Sequence, residues 1–152
     1  MKNITLIFFL LFLYSCGYTS VYKNQKSQDF QINIIEMTGD IEINNLIKNE
    51  LKFYSNRSSN NKYDISINSE YQKIIVSKNS AGVATDYKIS VYTKISINLN
   101  NKNNILNFSE NINIKSNSNS FEQNNYERNI KKNFASSIKN KFIIKIFNLD
   151  DN

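Results

Sequence analysis

Histidine, proline and tryptophan are absent from the 152 residues, cysteine occurs once, and there are three glycines. Without histidine there is no Ser-His-Asp or Cys-His catalytic unit and no imidazole-ligated metal site. A single cysteine excludes an intrachain disulfide, a thiolate metal cluster and a Cys-x-x-Cys redox pair. What the chain does have is a compositional skew: 28 Asn, 23 Ile and 17 Lys, with lysine far outnumbering the two arginines. All three favoured residues are read from AT-rich codons, so an individual Lys or Asn is first a solvated surface position. The formal net charge of +6 gives a mild attraction to anionic partners. It does not point to nucleic acid, because no basic cluster is interleaved with base-stacking aromatics.

The lone cysteine has a specific setting. Met1-Lys2-Asn3 supplies a positive start, and Ile4 to Tyr14 is an apolar run interrupted only by Thr5. As a helix this run would span about 16 Å, against a hydrocarbon core of about 30 Å. That is the length of a signal-peptide hydrophobic region. The run ends Leu13-Tyr14-Ser15-Cys16-Gly17, which resembles a bacterial lipobox: an aliphatic residue three before the Cys and a small one directly before it. A thiolate is nucleophilic enough to take a diacylglycerol thioether, and cleavage before Cys16 would free its amine for an N-acyl chain. Two or more chains, at about 0.8 kcal/mol per buried CH₂, give stable anchoring where one is marginal. Residues 1–15 are therefore expected to be a lipoprotein signal peptide and 16–28, polar and aperiodic, a lipidated tether. Loss of Lys2 would lower the formal charge by one. The covalent lipid on Cys16 is the one attached group expected, with no other cofactor and no metal.

Residues 29–152 read as a single α+β domain. Phe30, Ile32 and Ile34 alternate with polar residues, the period of a half-buried strand. Thr38-Gly39-Asp40 breaks it, and Asp40 is placed to cap a helix. Ile43, Leu46, Ile47, Leu51 and Tyr54 then share one helical face. Ser55 to Lys62 is a polar turn. Tyr63, Ile65 and Ile67 open a second strand that continues through Tyr71 to Val76, where Ile74-Ile75-Val76 interrupts the alternation and suggests a bulge. After a loop from Lys78 to Ala84, Tyr87, Ile89, Val91, Thr93, Ile95, Ile97 and Leu99 face one way along a long strand. Val91 and Ile95 are expected to be buried. Asn100 to Asn104 turns the chain. Leu106, Phe108, Ile112 and Ile114 share the next apolar face, with Glu110 as the exception, expected at an edge or rim near solvent.

The period then changes. Ser118 or Ser120 can cap a helix, and Tyr126, Ile130, Phe134, Ile138, Phe142 and Ile146 recur every four residues. Lys139, Lys141 and Lys145 lie where cations complement the end of a helix. The alternative for 142–147 is a terminal strand, since Ile143, Ile144 and Phe147 are also apolar. The order β-α-β-β-β-α predicts a two-layer sandwich: a four-stranded, mostly antiparallel sheet with two helices packed on one face. Asp64, Glu70, Asp86 and Glu110 are the acids to consider for carboxylate chemistry, and nothing in their spacing singles out a site, so the chain is not expected to be an enzyme.

Taken together, Cys16-Gly17-Tyr18-Thr19-Ser20-Val21-Tyr22 after the lipobox, this element order, and Val83-Ala84-Thr85-Asp86-Tyr87-Lys88-Ile89 leading into the long strand resemble the LPS-assembly lipoprotein LptE family, also called RlpB. Ser20 stands where the family usually has proline. The resemblance implies a lipoprotein held in the inner leaflet of the outer membrane, facing the periplasm. It also implies a role as plug and assembly factor for an LptD-like β-barrel that translocates lipopolysaccharide. Basic residues that contact lipopolysaccharide in the family have no individual match here; Lys73, Lys78 and Lys88 are the nearest candidates. The alternative is another envelope-anchored binding or structural lipoprotein with a different partner.

Overall fold

A computed structural model describes residues 30–99 and 102–150. Cys16, the signal segment 1–15 and the tether 16–28 lie outside the described residues. The order is strand β1 (Phe30–Gly39), helix α1 (Ile41–Ser55), strands β2 (Asn61–Lys78), β3 (Ala84–Leu99) and β4 (Lys102–Lys115), and helix α2 (Ser120–Asp150). The strands form one sheet in the order β1-β2-β3-β4. β1 runs parallel to β2, because α1 carries the chain back between them, and the two later pairs are antiparallel. This is the two-layer α+β arrangement expected from the sequence.

Local chemistry sets each boundary. Gly39 ends β1 at φ +84°, a backbone conformation in which L side chains are strained. The position is also crowded, since a Cβ there would come within 2.1 Å of the Ser69 carbonyl oxygen. Asp40 follows, its N–H donating to that same oxygen at 2.7 Å, while its carboxylate accepts from the Ile43 N–H at 2.9 Å and caps α1. The expected bulge in β2 is present: Ile75 faces Tyr87 and Ser77 faces Asp86, leaving Val76 unpaired. A second bulge falls in β1, where the register slips between Ile34 and Glu36.

Both helices cover the same sheet face. Ile43, Ile47 and Leu51 of α1 and Ile130, Phe134, Ile138, Phe142 and Ile146 of α2 join one core with Ile65, Ile67, Ile89, Val91, Ile95 and Ile97. Val91 and Ile95 are fully buried, as expected. Ser69 and Thr93 sit inside this apolar layer and satisfy each other at 3.0 Å. Among the described residues no element covers the other face, which is mostly polar; Asn68, Lys94, Asn107 and Ser109 are among its residues.

Two local expectations are corrected and a third is filled in. Neither Ser118 nor Ser120 caps α2: the Asn119 side chain accepts from the N–H groups of Phe121 and Glu122 at 3.0 and 3.3 Å. Glu110 lies at the sheet edge near solvent, as expected, but it is not without partners. It lies half-buried on β4 facing α2, and accepts from Lys141 at 2.5 Å and from Ser137 at 2.8 Å. Because α2 runs on to Asp150, no basic residue occupies its last turn, and Lys139 and Lys141 instead reach across to Glu50 and Glu110. The segment 142–147 is helical; its strand alternative does not occur.

Candidate functional site

β2 and β3 outgrow the rest of the sheet. β1 stops opposite Ser69, whereas β2 continues to Lys78 and returns as β3 from Ala84. Among the described residues the projecting hairpin has β4 beside it and only the first turns of α2 above it. Its loop is tightly built. Asn79 accepts the Ala81 and Val83 N–H groups through its side chain at 3.0 Å, and Gly82 turns the chain at φ +78°. Behind the loop, Asp86 accepts from the Ser77 hydroxyl at 2.5 Å and the Thr85 hydroxyl at 2.9 Å. Those two hydroxyls, aided by the charge of Lys115, hold its carboxyl below the usual range against a smaller opposing effect of desolvation.

The three candidate lysines all lie on this half of the sheet, but they do not converge. Lys73 points toward the helix layer. Its ammonium sits 4.3 Å above the Tyr87 ring and pairs with Glu127 of α2 at 2.5 Å. Burial opposes ionisation of Glu127, but hydrogen bonds from Lys73 and Gln123 and the charges of Lys73 and Lys131 outweigh it, and the carboxyl titrates below its ordinary value. Lys78 is exposed at the end of β2. Lys88 lies on the uncovered face, opposite Ile74 and Asn113 in the ladders. Below Lys73, Tyr71 packs under the Lys131 ammonium at 4.2 Å. Burial, followed by the negative charges of Glu127, Glu42 and Asp40, pushes its hydroxyl pKa up to about 12.

The sequence reading missed the apolar part of this end. Ile74, Ile75, Val76 and Val83 are half exposed or more, on both faces and at the bulge. Phe121 and Tyr126, at the start of α2 on the same end, are exposed as well. The one signal available was the break in alternation at Ile74-Ile75-Val76. The hairpin end therefore combines bare alkyl surface with Lys78, Lys88 and Lys115.

The four acids considered for carboxylate chemistry are each engaged separately. Asp64 accepts from Asn33 at 2.8 Å and Glu70 from Gln72 at 2.7 Å; Asp86 and Glu110 hold the partners already named. No cluster of three or more metal-binding side chains occurs among the described residues. No helix among them is long and apolar enough to cross a membrane.

No family model and no curated protein matches the sequence. Solved structures match in three dimensions. Rare lipoprotein B from Shewanella oneidensis superposes with a TM-score of 0.56 at 12% identity, over 78% of this chain and 99% of that one. The chain has the fold of rare lipoprotein B. A protein described as a lipoprotein from Caulobacter crescentus CB15 shares the fold too, at a TM-score of 0.53 and 10% identity, over 75% of this chain and 85% of that one. The superposition spans nearly the whole of that solved chain. At this identity the side chains of the hairpin end must be read from this chain alone.

Proposed function

We propose that this chain is a non-enzymatic outer-membrane lipoprotein of the LptE (RlpB) type. In this reading it is anchored through acylated Cys16 and faces the periplasm. It acts as plug and assembly factor for an LptD-like β-barrel and contributes to lipopolysaccharide transport. The observation that carries the reading is the fold shared along 99% of rare lipoprotein B, in a chain whose amino terminus reads as a lipobox. The surface chemistry supports it. A face rich in Asn and Ser suits the water-filled lumen of a large barrel. The hairpin end suits an anionic amphiphile, with Ile74, Ile75, Val76 and Val83 against acyl chains and Lys78, Lys88 and Lys115 toward phosphates. Lys73 is the weakest of the three original candidates for that role, because Glu127 already neutralises it.

The test is purification of the chain from its own envelope, followed by its depletion. Stoichiometric recovery with a β-barrel and a fall in surface lipopolysaccharide on depletion are expected. Recovery with a different envelope partner, and unchanged surface lipopolysaccharide, would replace this reading by that of a separate binding or structural lipoprotein.

A further inference from the structure

A groove along the β1 edge is not used by the reading above. It lies between residues 31–34 of β1 and the flank of α1, and has a volume of about 400 Å³. Lys48 and Lys52, one turn apart on α1, line it together with Asn49 and Asn56. Both lysines are exposed. Lys73, Lys131, Lys139 and Lys141 each reach a carboxylate, but among the described residues Lys48 and Lys52 have none in ion-pairing range.

The wall of the groove is a strand edge. Among the described residues β1 is a terminal strand and pairs with β2 alone, so backbone N–H and C=O groups along its outer side are free to pair. The regular part of this edge runs from Phe30 to Ile34, where the bulge ends it. The opposite edge, β4, lacks a comparable setting. Its neighbouring helix is already bridged to it by Glu110, Lys141 and Ser137, and an inward-facing charge is a common guard against added strands.

Spacing and charge together define the occupant. Residues four apart on a helix are separated by about 6 Å along its axis. Side chains two apart on a strand, which share a face, are separated by about 6.6 Å. A strand laid beside β1 would therefore present alternate side chains to Lys48 and Lys52 nearly in step. We propose that this groove receives an extended acidic segment of a partner protein, added to the sheet as an outer strand beside β1. Backbone hydrogen bonds to residues 30–34 hold the segment, and carboxylates at alternate positions pair with Lys48 and Lys52. The site is separate from the hairpin end and does not depend on the lipopolysaccharide reading.

The experiment uses the acylated mature protein in neutral detergent and a fluorescent eight-residue peptide of alternating valine and glutamate, with an otherwise identical valine–lysine peptide as control. Anisotropy is expected to show saturable binding of the acidic peptide alone. Hydrogen exchange is expected to slow at residues 30–34. The Lys48→Glu/Lys52→Glu variant should weaken binding at least tenfold with a urea midpoint only slightly lowered, by the loss of Lys52 from the last turn of α1, and Lys48→Arg/Lys52→Arg should retain binding. The proposal is overturned by equal binding of the lysine peptide, by protection appearing on β4 instead, or by no saturable binding. It is also overturned if phosphatidylglycerol vesicles displace the peptide and protect the same amides, which would make the groove a lipid site.

Discussion

Gly39 carries two demands at once, a left-handed backbone and the approach of the Ser69 carbonyl. A backbone held at positive φ costs a non-glycine residue roughly 1–3 kcal/mol, and the Cβ collision with main chain adds to it. Gly39→Ala should lower the unfolding free energy measured in urea by at least that amount, and a value within error of the parent would mean the β1–α1 corner yields easily. Tyr71 makes a prediction in pH. Its folded pKa of about 12 lies above the ordinary tyrosine value of 10.0, so between those values the unfolded chain loses a proton that the folded chain keeps. Stability is then undiminished below about pH 10 and falls as pH approaches 12. Tyr71→Phe should flatten that alkaline loss and remove one component titrating near pH 12 from the absorbance curve at 295 nm. Glu127 acts in the opposite sense, since its lowered pKa gives stability that persists above the ordinary carboxylate value and disappears on acidification below it.

At the scale of the element, legibility followed locality. β3 and α2 were readable because long alternation and, from Ile130 onward, a four-residue recurrence each describe a buried face, although Tyr126 at the head of that recurrence is exposed. The Asp40 cap was readable because its partner is three residues away. Glu110 could be placed at the sheet edge, but its partners could not be read, because Ser137 and Lys141 lie 27 and 31 residues on. Lys73 could be chosen as a basic residue, but its engagement with Glu127, 54 residues distant, is a product of α2 folding back over the sheet. The apolar hairpin end was half legible: the bulge was visible, but the exposure was not, since exposure depends on where α1 and β1 stop. Ile75→Ser and Val83→Ser should leave the unfolding free energy within about 0.5 kcal/mol, as expected for exposed positions. Under the proposed function the same changes should reduce lipopolysaccharide binding in a pull-down; intact binding would move the contact elsewhere.

For the molecule as a whole, direction matters. The chain enters the described domain at Phe30, beside the start of β2, and the hairpin loop lies at the other end of that strand. The seventeen steps between its eighteen residues, at about 3.3 Å each, put the two ends about 56 Å apart. The point where the chain enters the described domain and the hairpin loop therefore lie at opposite ends of the sheet. Cys16→Ser should leave the signal segment uncleaved by the lipoprotein peptidase and the protein unacylated, read as a heavier band without metabolic palmitate label. Normal processing of that variant would remove the anchor from the account.

The mismatch between a short β1 and a long β2 makes the sheet a cantilever. Near Ile65 and Ile67 the central strands are clamped from the sides and from above. Past Ser69 the same strands continue with β1 gone and only the first turns of α2 overhead. Rigidity should therefore fall along a single strand rather than between elements, with β2 amides from 65 to 69 exchanging hydrogen last and those from 74 to 78 first. A beam fixed at one end deflects most at its tip, so the hairpin end can comply with a partner's shape while the packed base keeps its own.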